Sequence, residues 1–318
     1  MATKLGRWLR ACHLAGMDNT WDCIVVGGGA AGLSAALVLG RARRRTLVID
    51  AGAPSNRVAP GIGGLLGSDT RPPAAFYASG REELAAYSTV RVLDGEVTGG
   101  QPGDGRFRLE LADGSSEIAR CVLLATGMDY RYPVLPGIDQ FWGRSVFHCP
   151  FCHGWEVRDE PLGVMDRGDS GVHRAMLLRA WSDDVTLLTD GPAELDPQAA
   201  QGLHAAGVAV DERPLAGVRG AGGEIAAVRF SDGSERRFGG LLVPVTLHQR
   251  TDLAAQLGAV VADPGPLSTE SVAIDAMGGT SVPGLYAAGD LSLHMPSVAN
   301  AVAAGSSAAA MVVRDLMA

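Results

Sequence analysis

The sequence predicts an α/β fold of Rossmann-like, three-layer type, and three stretches carry that prediction. The first is an apolar, partly β-branched run, Trp21 to Val26, that leads straight into Gly27-Gly28-Gly29-Ala30-Ala31-Gly32. The second is a similar run, Pro161 to Met165, followed by Asp166-Arg167-Gly168-Asp169-Ser170-Gly171 and a helical pattern. The third lies near the C-terminus, where Gly284-Leu285-Tyr286-Ala287-Ala288-Gly289-Asp290 precedes a helix starting near Ser297. Short buried runs alternating with helical ones mark parallel sheets covered on both faces.

The first unit is complete. A buried strand over Trp21 to Val26 is followed by a helix from about Gly29 to Gly40 and a strand from Arg45 to Asp50. In such a βαβ unit Gly27 permits the tight turn, Gly29 lets the backbone approach a pyrophosphate, and Gly32 lets the helix pack on the strand. The pyrophosphate then rests on the helix N-terminus, beside the amides of Ala30 and Ala31, where the dipole favours negative charge. Asp50 ends the second strand, where an acid can take ribose hydroxyls. A lone G-x-G-x-x-G is weak; here strand, turn, helix, strand and acid follow in order, so dinucleotide binding is the expectation. The basic run Arg41, Arg43, Arg44 and Arg45 reads as a solvated helix end. Further on, Val122-Leu123-Leu124-Ala125-Thr126-Gly127 is a strand ending in Ala-Thr-Gly, followed by Arg131, Pro133 and Pro136-Gly137. Asp113-Gly114 and Asp232-Gly233 sit between alternating runs and predict hairpin turns.

Composition narrows the function. A net charge of -8 lacks the basic footprint of a nucleic-acid partner. The charge-free runs Cys23 to Gly40 and Met295 to Val313 are full of Gly, Ala and Ser, and read as buried helices of a nucleotide domain, not membrane spans. Residues 1–18 form an N-terminal extension with Lys4, Arg7 and Arg10 but no long apolar core, a poor signal peptide; Met17 is the natural alternative start. Five cysteines, Cys12, Cys23, Cys121, Cys149 and Cys152, make no disulfide framework. A reducing, cytoplasmic setting with one functional pair is expected.

That pair lies in His148-Cys149-Pro150-Phe151-Cys152-His153-Gly154. A C-x-x-C near a helix start ionises one thiol easily and cycles between dithiol and disulfide. No second C-x-x-C or His pair with ligand spacing appears, so no metal is expected. His153 is placed to accept and return protons, having an ordinary pKa near 6.5. His148 is a second catalytic candidate, or equally a structural histidine capping the helix.

These motifs together resemble the flavoprotein disulfide oxidoreductases with two dinucleotide domains, and the mid-chain dithiol resembles the low-molecular-weight thioredoxin reductases, over nearly the whole chain from Trp21. The resemblance implies two dinucleotide-binding, Rossmann-like domains, the second inserted in the first: an FAD domain over 19–131 and 246–318 around a dithiol domain over 132–245, with crossings at Tyr132-Pro133 and Val245 to Thr251. It implies FAD contacts at Gly27, Gly29, Ala30, Ala31, Gly32, Asp50, Ala51, Arg57, Val97, Ala125, Thr126, Gly127, Gly289, Asp290, Ser297 and Val298. The Gly289-Asp290 pair would meet the ribityl-phosphate side, and the following helix would aim its N-terminus at the flavin pyrimidine. A homodimer is implied as well. His153 stands where the reductases carry an acidic proton donor. Cys-Pro-Phe-Cys-His-Gly-Trp-Glu looks closer to the natural-product dithiol oxidases of gliotoxin and holomycin type, which use FAD and oxygen.

The second fingerprint separates these branches. Asp166 replaces its first glycine and would crowd and repel a pyrophosphate. Its helix is expected over Val172 to Trp181 and its second strand over Asp184 to Leu188. Thr189-Asp190-Gly191 stands where the reductases hold an NADPH 2′-phosphate with basic residues, and no Arg or Lys occurs between Arg179 and Arg213. The sequence therefore counts against an NAD(P)H site. The expected activity is a dithiol oxidase acting on a small-molecule dithiol, with Cys149 taking the substrate and, as the resemblance implies, Cys152 facing the flavin. The alternatives are an NAD(P)H-dependent reductase of a thioredoxin-like protein and a flavin-binding sensor without turnover. The run Gly61-Ile62-Gly63-Gly64-Leu65-Leu66-Gly67 departs from related proteins and reads as a smaller-residue lining near the flavin.

Overall fold

The structure, a computed structural model, describes residues 20–292 and 295–317. The expected N-terminal extension and the alternative start at Met17 lie outside the described residues. The chain opens with the expected unit: β1 (Trp21–Val26), α1 (Ala30–Arg41) and β2 (Thr46–Asp50), with Gly29 as the N-cap of α1. Helix α2 (Pro73–Leu84) and β3 (Val90–Asp94) follow, then an antiparallel meander of β4 (Val97–Gly103), β5 (Arg106–Leu111) and β6 (Ser116–Leu124). The parallel core of this sheet runs β3-β2-β1-β6. The late strand Leu285–Ala287 completes it beside Val122 to Leu124, on the edge whose other half pairs with β5.

Both faces of this sheet are covered, which explains the unbroken apolar runs. Ile24, Val26, Leu47 and Ile49 point into one core cluster, with Phe107 and Leu253. Their neighbours Cys23, Val25 and Val48 point into the other, with Ala35, Leu39 and Ala308. On that second face α1 packs directly on the last helix, Val298–Asp315. A Cβ at Gly305 would lie 2.0 Å from Ala31 O, and Ser34 Oγ donates to Val302 O at 2.7 Å. Backbones this close require small residues, and that accounts for the Ala- and Gly-rich, charge-free character of both helices.

The middle of the chain builds a second sheet. Strand β7 (Met128–Arg131) leads across to β8 (Val146–Phe147) and the single-turn helix α3 (Pro150–His153). Then come β9 (Leu162–Met165), α4 (Gly168–Leu178), β10 (Val185–Leu188), α5 (Pro197–Ala205) and β11 (Val208–Asp211). The antiparallel strands β12 (Leu215–Ala221), β13 (Glu224–Phe230) and β14 (Glu235–Arg237) precede β15 (Gly240–Leu242). The parallel order is β11-β10-β9-β15-β8. The chain returns along β16 (Thr246–Gln249), then α6 (Leu253–Gln256), β17 (Leu285–Ala287) and α7 (Val298–Asp315).

Both hairpin turns form, with Ser115 N donating to Asp113 Oδ1 at 2.9 Å and Ser234 N to Asp232 Oδ1 at 2.8 Å. Helix α4 starts four residues before the expected Val172 and ends before Trp181. The strand into Ala-Thr-Gly stops at Leu124, and Gly127 turns the chain at φ +64°. The two crossings are one antiparallel ribbon, Met128 to Arg131 against Thr246 to Gln249, so the first begins ahead of Tyr132-Pro133. Its pairing partner lies far along the chain, which local pattern does not reveal.

Candidate active site

The glycines of the first turn divide their work. Gly27 adopts φ +109° and its Cβ would lie 2.2 Å from Ala125 O, so the turn presses on the end of β6. A Cβ at Gly32 would lie 1.8 Å from Gly27 O, which locks the start of α1 onto the turn. Gly29 is different: a Cβ there meets no atom within 4 Å. It opens on a cavity of about 490 Å³. Helix α1 has no side-chain cap and no acid in its first turn. Its leading amides are therefore presented to an anion. This is a cradle that fits the pyrophosphate of FAD.

Most of the residues expected at the flavin line this one cavity. Gly27, Gly29, Ala30, Ala31, Asp50, Ala51, Val97, Ala125, Thr126, Gly127, Gly289, Asp290, Ser297 and Val298 all line it. Gly32 lies behind the turn instead. Arg57 is exposed and outside the lining. Arg250 supplies the guanidinium there, donating to Ala53 O at 2.6 Å and to Ser55 Oγ at 3.0 Å. Asp50 is held on both oxygens: Oδ1 accepts from Gly52 N at 3.1 Å, and Oδ2 pairs with Arg81 of α2. Arg81 also grips Asp94 at 2.7 Å. Asp290 accepts a hydrogen bond from Tyr130 Oη at 2.8 Å, and burial raises its carboxyl above the ordinary range. Ser297 caps α7 by accepting from Asn300 N at 3.1 Å. Sequence reading named none of Arg81, Tyr130 and Arg250. Tyr130 and Arg250 lie in stretches singled out for other reasons, and each of the three reaches its partner across the fold.

The dithiol stands against the same cavity. Cys149 is the N-cap of α3, with Pro150 opening the helix. Cys152 N donates to Cys149 O at 3.1 Å, and the two sulfurs lie 2.7 Å apart. Cys152 lines the cavity; Cys149 does not. The hydrogen bond from Cys152, helped by the amides of Cys152 and Phe151, pulls the Cys149 thiol below its usual pKa despite burial. The same contact and burial push Cys152 up. The run of small residues after Pro60 has a physical reason. A Cβ at Gly63 would lie 2.5 Å from Cys152 O, and Gly61, Ile62 and Gly63 line the cavity.

The two histidines separate clearly. His153 Nε2 lies 3.1 Å from Gly143 O. A carbonyl only accepts, so Nε2 carries the proton and Nδ1 is left with its lone pair. Nδ1 is buried and has no partner. The ring stacks on Phe147, centroids 5.8 Å apart, and burial lowers its pKa. His148 is wedged between Tyr130 and Trp142, at 5.0 and 5.9 Å. Burial, then the neighbouring His153, pushes it down to about 4. It is neutral at neutral pH, half-buried, and it lines the cavity as His153 does.

In the second turn Asp166 is not the lone negative charge expected. Arg174 of α4 pairs with its Oδ2, so the predicted simple repulsion is replaced by a filled turn. Likewise a cation does reach the end of β10: Arg167 Nη2 donates to Asp190 O at 3.0 Å. Asp190 itself is tied down, accepting from Leu215 N at 2.7 Å. The residues of this turn do not fit a nicotinamide dinucleotide.

Residues 21–305 match the family described as pyridine nucleotide-disulphide oxidoreductase. The chain belongs to this family. Among curated members it is 32% identical to thioredoxin reductase tcpT of Claviceps purpurea, over 95% of this chain and 96% of that one. It is 31% identical to thioredoxin reductase sirT of Leptosphaeria maculans, over 93% and 94%. An oxidoreductase from Agrobacterium tumefaciens superposes with a TM-score of 0.88 at 34% identity, covering 94% of this chain and 99% of that one. Membership implies a flavoprotein oxidoreductase acting on sulfur groups, with flavin and pyridine nucleotide as the family's cofactors. Among the described residues no helix is long and apolar enough to cross a membrane.

Proposed function

We propose that this protein is an FAD-dependent dithiol oxidase that closes a disulfide in a small-molecule dithiol. The observation that carries the reading is the pairing of a dithiol on the wall of the flavin cavity with a second nucleotide turn already filled by Asp166 and Arg174. FAD, when bound, supplies the two-electron acceptor that oxygen regenerates with release of hydrogen peroxide.

The protein's own part is sulfur exchange. A substrate thiolate attacks Cys149 Sγ of the enzyme disulfide, forming a mixed disulfide; Cys152 leaves and takes up the proton that the substrate thiol gave to His153, in keeping with its raised pKa. The second substrate thiol, deprotonated, attacks the substrate sulfur, closes the product ring and expels Cys149. The lowered pKa of Cys149 makes it the better leaving group. The substrate loses two electrons and two protons; the enzyme pair gains the two electrons. His153 Nδ1, held as the free base by the Gly143 carbonyl, accepts and returns the proton. Tyr130 and Asp290, joined by a hydrogen bond, line the same cavity as Cys152.

A second reading is favoured by the relatives, which are named thioredoxin reductases: reduction of a thioredoxin-like protein by NAD(P)H. One experiment separates the two. Under anaerobic conditions dithiothreitol should bleach the flavin, and NADPH or NADH should do so slowly or not at all. In air dithiothreitol should be consumed with release of hydrogen peroxide. Rapid, stoichiometric bleaching by micromolar NADPH would return the protein to the reductases.

A further inference from the structure

We infer that Asp166 is an internal substitute for the nucleotide pyrophosphate, and that its carboxylate, latched by Arg174, keeps pyridine nucleotides out of the second turn. This deepens the oxidase reading and rests on it. Strand β9 delivers Asp166 to the position of the first fingerprint glycine, directly before α4. Asp166 Oδ1 accepts from Arg167 N at 2.8 Å, and Oδ2 accepts from Ser170 Oγ at 2.8 Å and from the Arg174 guanidinium. A backbone amide at the turn, a hydroxyl in the first helical turn and a guanidinium one turn later are the donors a phosphate would seek. Here one carboxylate takes all three.

The latch is protected. The Asp166 side chain is 13% exposed and that of Arg174 is 23% exposed, so water screens the pair only in part. Gly171 seats the helix tightly over it, with a Cβ there 3.1 Å from the Asp166 carbonyl carbon. Arg167 then reaches from the turn to Asp190 O, across the route toward the end of β10. A dinucleotide would have to break an enclosed ion pair and take over its donors. The turn keeps the shape of a nucleotide site while its anion is covalently part of the chain. Donor choice is thereby a property of Asp166 and Arg174.

The test is titration of the flavin-loaded protein with NADH and with inorganic pyrophosphate by calorimetry. The wild type should give no saturable binding of either. Asp166→Gly should bind NADH at least about tenfold more tightly, the worth of one recovered charge-assisted hydrogen bond. Asp166→Ala, which keeps a Cβ already accommodated in the turn, should gain in the same direction. Adding Arg174→Ala to either should abolish the gain. Flavin content and dithiothreitol turnover, unchanged in the single variants, report their folding. Variants that hold flavin and turn over yet bind NADH no better than wild type would overturn the latch and leave the oxidase reading standing. Micromolar NADH binding with rapid flavin bleaching in the wild type would overturn both. A gain that survives loss of Arg174 would remove Arg174 from the latch.

Discussion

Gly29→Val should remove the flavin and leave the fold. Gly29 sits at φ -78°, ψ -167°, extended backbone that a β-branched residue adopts freely. A Cβ there touches nothing within 4 Å, so the protein without flavin loses no packing. The added methyls enter the cavity where the N-terminal amides of α1 face a pyrophosphate. Hydrogen bonds to a charged group are worth about 1.5–3 kcal/mol each. Displacing the phosphate from two of them costs about 3–6 kcal/mol, or roughly 10²- to 10⁴-fold in flavin affinity. Gly32→Ala is the contrast, because its Cβ would lie 1.8 Å from Gly27 O and only backbone movement relieves that. The assay is the flavin-to-protein ratio after purification, paired with thermal unfolding of flavin-stripped samples so that ligand stabilisation does not intrude. Stripped Gly29→Val should melt with stripped wild type; stripped Gly32→Ala should melt lower. Wild-type flavin content in Gly29→Val would refute the placement of the phosphate. Melting as low as Gly32→Ala would refute the claim that Gly29 faces open space.

Cys152→Ser should abolish dithiol-driven bleaching of the flavin, whereas Cys149→Ser should stop turnover but leave the Cys152 sulfur on the cavity wall; a long-wavelength absorption band is expected in the second variant alone, and its appearance in the first instead would reverse the roles. His148 sets a pH dependence of stability. Its folded pKa of about 4 lies below the usual 6.5, so the unfolded chain binds the extra proton between those values. Stability from this group is fully present above about pH 6.5 and is lost as the pH falls toward 4, by at most about 3 kcal/mol. His148→Phe, which keeps a ring between Tyr130 and Trp142, should flatten that part of the urea-midpoint profile, and an unchanged slope would place the acid sensitivity elsewhere.

What the sequence determined by itself is the set of features written in neighbouring residues. The unit from Trp21 to Asp50 was legible because strand pattern, glycine turn and helix pattern are each encoded within a few positions. The same holds for the strand leading toward Ala125-Thr126-Gly127, the helix starting near Ser297 and the C-x-x-C at a helix start. The tertiary structure decided which side chains meet. His148 and His153 flank the cysteines symmetrically in sequence. Only packing shows that Tyr130 and Trp142 enclose one, while the Gly143 carbonyl engages Nε2 of the other and leaves its Nδ1 without a partner. Cys152 rather than Cys149 lines the cavity because α3 docks on the loop holding Gly63. Arg57 looked basic and near, yet Arg250 crosses from the returning linker to bind the loop at Ala53. Asp166 looked like bare repulsion until α4 brought Arg174 round by two turns to neutralise it. Local sequence specifies backbone through dihedral preference and periodic burial. The partner of a charge or a ring depends on which distant segments the two sheets bring side by side, and burial of the whole core chooses that arrangement.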